Sequence, residues 1–199
     1  MDDFKPYYYR TAEAMAAGPP ASAPPAPREA EPEVYRFRDD GVIPNNPNCP
    51  LLIYRKAVRL PIGMDPAGIF EQLFQKNGWG KAWRNGIYDF AHYHSRTHEV
   101  LGIARGRALV RIGGDVGLDI DIKAGDALII PAGVGHQRLK ASKNLLVVGA
   151  YPAEGEYDEF RAEPSNREKA MAAIAQVPAP KTDPLFGAEG PLVKLWNIS

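Results

Sequence analysis

The chain has four histidines, and three of them fall in one short stretch, His92-Tyr-His94-Ser-Arg-Thr-His98, followed at once by Glu99. His92 and His94 are two apart, so in a strand their side chains share a face. Glu99 opens the next run, in which Glu99, Leu101 and Ile103 share one face. If that face is interior, Glu99 meets the two histidines and His98 points away. The fourth histidine, His136, follows a turn rich in Pro131, Gly133 and Gly135 that can return it to the same place. Three neutral imidazoles and one carboxylate suit a divalent transition metal (Fe, Mn, Ni, Cu or Zn). Four protein ligands leave coordination positions open, which a catalytic metal requires. The plain alternative is a polar loop that happens to be rich in histidine.

Such a site needs short strands and tight turns around it. From Trp79 to Pro152, apolar or alternating runs are split by Asn85-Gly86, Gly106, Gly113-Gly114, Gly117, Gly125-Asp126 and the PAGVG segment 131–135. The spacing predicts strands at 87–94, 98–104, 107–112, 117–122, 127–130, 136–141 and 145–151, the pattern of an antiparallel sandwich or barrel. Upstream, VYRFR at 34–38 alternates as a short strand, and 51–60 reads as one long strand or a strand pair. Asp65 as cap and Pro66 at the first helical position start a helix over 66–77, with Ile69, Phe70, Leu73 and Phe74 on its apolar face and Gly78 as its stop. Trp79 and Trp83 flank a Gly-rich turn and read as packing over a barrel end. A second helix is expected over 166–176, and Leu185, Phe186, Leu192, Leu195 and Trp196 should pack the C-terminal extension, 152–199, back onto the domain. Residues 1–33 hold a Pro/Ala-rich segment without large apolar side chains, expected to be a disordered arm ahead of a single domain at 34–199.

Two segments carry a resemblance. Gly86-IYDFA-His92-Tyr-His94-SRTH-Glu99-VLGIAR-Gly106 fits the first motif of the cupin superfamily, and Gly125-DALII-Pro131-Ala-Gly133-Val-Gly-His136 fits the second. Lys140 stands where the second motif usually ends in Asn, a position that is not a metal ligand in the family. The phrases GVIPNNP, NGWG-x2-WRNGIYD, HYHS-x2-HEVLG, IPAGVGH, VVGAYP and TDPLFG are also similar to a YjlB-like cupin subgroup, over about residues 37–196. The resemblance implies an all-β fold with minor helix: a single-domain RmlC-like jelly-roll β-barrel with an N-terminal helix and a C-terminal helical extension. The first motif lies at 86–106 and the second at 125–140. It also implies His92, His94, Glu99 and His136 as metal ligands, and it makes a homodimer the expected assembly. A metal-free cupin using the same groups to hold a sugar-like or acidic ligand is the competing reading.

Around the ligands, His98 is read as their neighbour or a surface residue, with a place in the site instead of Glu99 or His92 left open. Tyr88 and Phe90 share the parity of the two histidines and are candidates for pocket wall or core. Arg96 and Arg138 can meet an anionic substrate or stand solvated. The function expected is a metal-dependent small-molecule enzyme, of dioxygenase or isomerase type. The alternative is a metal or small-ligand binding or sensor module without turnover, and a storage role ranks last.

Composition narrows the classes further. Lys plus Arg and Asp plus Glu both number 24, so no basic excess points to nucleic acid. No apolar run approaches a membrane span, and the start MDDFKPYYYR does not read as a signal peptide. The single cysteine, Cys49, rules out an internal disulfide and fits a reducing, cytoplasmic setting. A small molecule is the expected partner, with neither nucleic acid nor membrane.

Overall fold

The computed structural model describes residues 25–196. Residues 1–24 of the expected arm lie outside the described residues. Its last part does not hang free, because the Arg28 amide donates to the Ala57 carbonyl at 2.7 Å and Ala30 packs on the core.

Strands β1 (Glu33–Tyr35), β2 (Leu51–Tyr54), β3 (Trp79–Asn85), β5 (Glu99–Arg105), β8 (Ala127–Ile130) and β10 (Leu146–Pro152) form one sheet in the order β1-β2-β8-β5-β10-β3. Strands β4 (His92–Tyr93), β6 (Arg107–Ile112), β7 (Leu118–Lys123), β9 (His136–Ala141) and β11 (Phe160–Arg161) form a second sheet in the order β11-β4-β9-β6-β7. Every strand pair in both sheets is antiparallel. Leu51, Ile53, Leu101, Ile103, Leu128, Ile130 and Val147 of the larger sheet pack against Val110, Ile112, Ile120 and Ile122 of the smaller one.

The opposite face of the larger sheet is covered too. Helix α1 (Pro66–Lys76) lays Ile69, Phe70, Leu73 and Phe74 there, beside Leu192 and Trp196 from the C-terminal end. That double burial explains why LLIY and ALII are continuous apolar runs instead of alternating ones. Asp65 caps α1 through its side chain on the Ala67 amide at 3.1 Å, and Pro66 occupies the first turn. The helix sits close because β5 offers Gly102: a Cβ there would lie 2.3 Å from the Phe70 ring. After the sheets come a 3-10 turn (Pro164–Asn166), α2 (Arg167–Ile174) and the short α3 (Pro191–Leu195).

Three expectations need correction. The expected strand at 87–94 is not one element: β3 occupies 79–85, an irregular segment follows, and only His92 and Tyr93 are strand. Trp79 and Trp83 therefore sit on an edge strand paired with β10, not on a turn over a barrel end. The expected long strand at 51–60 stops at Tyr54, where the Lys56 amide leaves the ladder and donates to the Asp126 carboxylate at 2.8 Å.

Candidate metal centre

His92 and His136 lie directly opposite each other on β4 and β9, with ring centroids 4.1 Å apart. His94 follows one residue beyond β4. One ligand atom from each of His92, His94 and His136 falls within 4.8 Å of the others, and all three side chains are buried. Glu99 arrives from the other sheet, on β5. Its Oε2 stands 3.3 Å from Nε2 of His136 and 3.5 Å from Nε2 of His94.

The far sides of the rings decide which nitrogen is free. Nδ1–H of His92 donates to the Phe90 carbonyl at 3.2 Å, and that of His136 to the Val134 carbonyl at 3.3 Å. Nδ1–H of His94 donates to the Asp158 carbonyl. A carbonyl only accepts, so each Nδ1 carries a proton, and Nε2 is the nitrogen that a neutral ring offers to a metal. Nε2 of His94 and of His136 stands beside one carboxylate. Burial, reinforced by neighbouring His136 and His94, pushes His92 down to about 2, so it is neutral at ordinary pH. Burial opposes charge on Glu99, but His94 and His136 outweigh it and hold the carboxyl below its usual range. Burial likewise opposes charge on His94, and Glu99 overturns that and raises it. This donor set can hold a borderline divalent metal.

His98 has the opposite arrangement. Its Nδ1 accepts the Ala132 amide at 3.0 Å, while Nε2–H donates to the Pro178 carbonyl at 3.3 Å. Both nitrogens are occupied, the ring lies 4.8 Å from that of Trp196, and burial pushes the imidazole down to about 4. It links the second-motif turn to the C-terminal extension and has no lone pair to offer the cluster.

The remaining sequence candidates form the surroundings. Tyr88 is 38% exposed and stacks on Phe90, centroids 4.7 Å apart, and the two rings lie 5.0 and 5.7 Å from that of His92. They flank the site from an irregular segment and not by strand alternation. Arg138 braces that segment, its Nε donating to the Ile87 carbonyl at 2.9 Å and its amide to the Tyr88 carbonyl at 2.8 Å. Arg96 is exposed and paired with Glu156.

The segment after β10, not expected at the site from sequence, also reaches it. Tyr157 places its ring 5.1 Å from that of His94, and Arg161 lies over Phe90 at 4.1 Å. Asp158 supplies the carbonyl that orients His94. Its carboxylate also accepts the Ser95 amide at 2.8 Å, the Ser95 hydroxyl at 2.5 Å and the Arg96 amide at 3.2 Å. The only signal in EYDEF is its density of polar and aromatic residues, which names no partner.

No protein-family model matches the chain. A curated bacterial protein does: Uncharacterized protein YjlB of Bacillus subtilis (strain 168) is 40% identical over 168 residues, covering 84% of this chain and 98% of that one. The chain belongs to the YjlB family. Within this YjlB-family chain, the two antiparallel sheets with their minor helices have the architecture that the resemblance to the cupin jelly roll implies. Solved structures similar to part of it include acireductone dioxygenase from Bacillus anthracis, 15% identical, with TM-score 0.38 and coverage of 53% of this chain and 80% of that one. The WlaRB TDP-quinovose 3,4-ketoisomerase from Campylobacter jejuni is 16% identical, with TM-score 0.36 and coverage of 46% and 74%. The 11S globulin from Wrightia tinctoria is 19% identical, with TM-score 0.33 over 40% of this chain, and the match spans 22% of the globulin's length.

Proposed function

We propose that the protein is a metal-dependent small-molecule enzyme of the dioxygenase or isomerase type. Nε2 of His92, His94 and His136 and the carboxylate of Glu99 hold the metal. The observation that carries this reading is the set of three Nδ1–H donations to the Phe90, Asp158 and Val134 carbonyls, which leave Nε2 of each ring as the nitrogen offered to a metal. An outer partner on each ring fixes tautomer and direction, as metal sites require. Bound there, Fe, Mn, Ni, Cu or Zn would polarise substrate oxygens or carry electrons at open coordination positions. The chain's own groups do the rest. Glu99 lowers the positive charge, His92 stays neutral and able to ligate, and Tyr88, Phe90 and Tyr157 wall the approach with aromatic surface.

Elemental analysis of protein purified without a His-tag tests the reading, followed by oxygen uptake and product analysis on a panel of small hydroxy acids, thiols and diols. The expected result is one metal per chain, lost in His136→Ala, with turnover that stops on chelation. Bound metal without turnover on any substrate class would favour the binding or sensor reading. A protein that holds no metal and gains no stability from added Fe, Mn, Ni, Cu or Zn contradicts the metal site itself.

A further inference from the structure

Tyr151, near the end of β10, was not among the sequence candidates, yet the ladder carries it into the site. β5 and β10 pair Leu101 with Gly149 and Val100 with Ala150. The antiparallel register runs on toward Tyr151 on β10 and Glu99 on β5, which brings the two to the same end of the pair. The tyrosine is buried, and its ring centroid is 5.9 Å from that of His94.

Its hydroxyl is oriented from behind. Nε1–H of Trp83, on β3, donates to the Tyr151 oxygen at 2.9 Å. An indole N–H can only donate, so the phenol oxygen is the acceptor and its own proton remains for another partner. Gly149 makes the arrangement possible. A Cβ at that position would meet Trp83 ring atoms at 2.1 Å, so the missing side chain is the seat of the indole. Gly149 admits Trp83, Trp83 sets the Tyr151 hydroxyl, and Tyr151 presents one O–H beside Glu99.

We propose that Tyr151 donates this hydrogen bond to an oxygen of the bound ligand, with Trp83 as its positioning residue. We further propose that the ligand class is a small monoanionic oxygen chelator such as an α-hydroxy or α-keto carboxylate. This rests on the metal reading above. A divalent ion held by three neutral imidazoles and one carboxylate keeps one net positive charge, which a monoanion neutralises. A donor aimed beside the ion rewards a ligand with charge on its oxygen, since hydrogen bonds to charged groups are the stronger ones. The Tyr157 ring, 5.4 Å from that of Tyr151, adds apolar cover that keeps such a bond from being diluted by water.

The test uses the whole protein loaded with Co(II), with acetohydroxamate as the monoanionic oxygen probe and imidazole as a ligand without oxygen. Visible absorption gives the affinity of each for wild type, Tyr151→Phe and Trp83→Phe. We expect Co(II) and imidazole affinities to stay at wild-type values in both variants. Acetohydroxamate should bind about 10- to 100-fold more weakly to Tyr151→Phe, the span expected for one hydrogen bond to a charged oxygen. It should bind Trp83→Phe with a smaller loss. Unchanged acetohydroxamate affinity in Tyr151→Phe overturns the donor role, and wild-type affinity in Trp83→Phe overturns the positioning role. A Tyr151→Phe protein that no longer takes up Co(II) makes the tyrosine a support of the fold and overturns the proposal. A wild-type protein that takes up no Co(II) overturns the metal reading, and this one with it.

Discussion

His94 and His98 are four residues apart and hold opposite tautomers. Nδ1 of His94 gives its proton to a carbonyl, whereas Nδ1 of His98 receives one from an amide. The difference separates a group that offers Nε2 to a metal from one that is fully used as a brace. That His92, His94, Glu99 and His136 come together was expected from motif spacing; strand alternation supplied less, since His94 lies beyond β4. The role of His98 was not, since its partners Ala132 and Pro178 lie 34 and 80 residues away. His98→Ala should leave metal stoichiometry untouched. It should lower stability by about 3 kcal/mol, because the Ala132 amide is left buried without an acceptor and Trp196 loses a neighbour. Urea unfolding beside metal analysis checks this, and loss of the metal in His98→Ala would put the histidine back in the ligand set.

At the scale of elements, most strands flanked by glycine turns were read from pattern, the edge strand β7 among them, but the edge strand β3 was not. WGKAWRN contains Gly80, Lys81 and Asn85, residues poor in strand propensity, and pairing with β10 overrides that preference. Local pattern also could not show that the 155–158 segment closes on the His94 loop. That contact depends on Gly155, φ +118°, where a Cβ would meet the Arg96 carbonyl at 2.6 Å, and on the Asp158 carboxylate. The segment acts as a clip that holds the carbonyl against His94. Asp158→Ala should therefore weaken metal affinity roughly 10- to 100-fold, the usual cost of removing the support of a ligating histidine. Asp158→Asn keeps an acceptor for the Ser95 and Arg96 amides and should retain most of that affinity. Competition against a chelator of known affinity measures both, and equal affinities for wild type and Asp158→Ala would remove the clip from the account.

On the scale of the whole molecule, the site joins the two sheets. The histidines come from the smaller sheet and its adjoining loop, and Glu99 comes from the larger one. The outer face of the larger sheet is occupied by α1 and the C-terminal residues, where Nε1–H of Trp196 donates to the Pro50 carbonyl at 2.9 Å. Among the described residues, no helix is long and apolar enough to cross a membrane. The most direct measurement is diffraction from metal-loaded crystals at the absorption edge of the bound metal. A single anomalous peak is expected, enclosed by Nε2 of His92, His94 and His136 and the carboxylate of Glu99. A peak held by His98, a peak elsewhere on the chain, or no peak after loading would contradict that expectation.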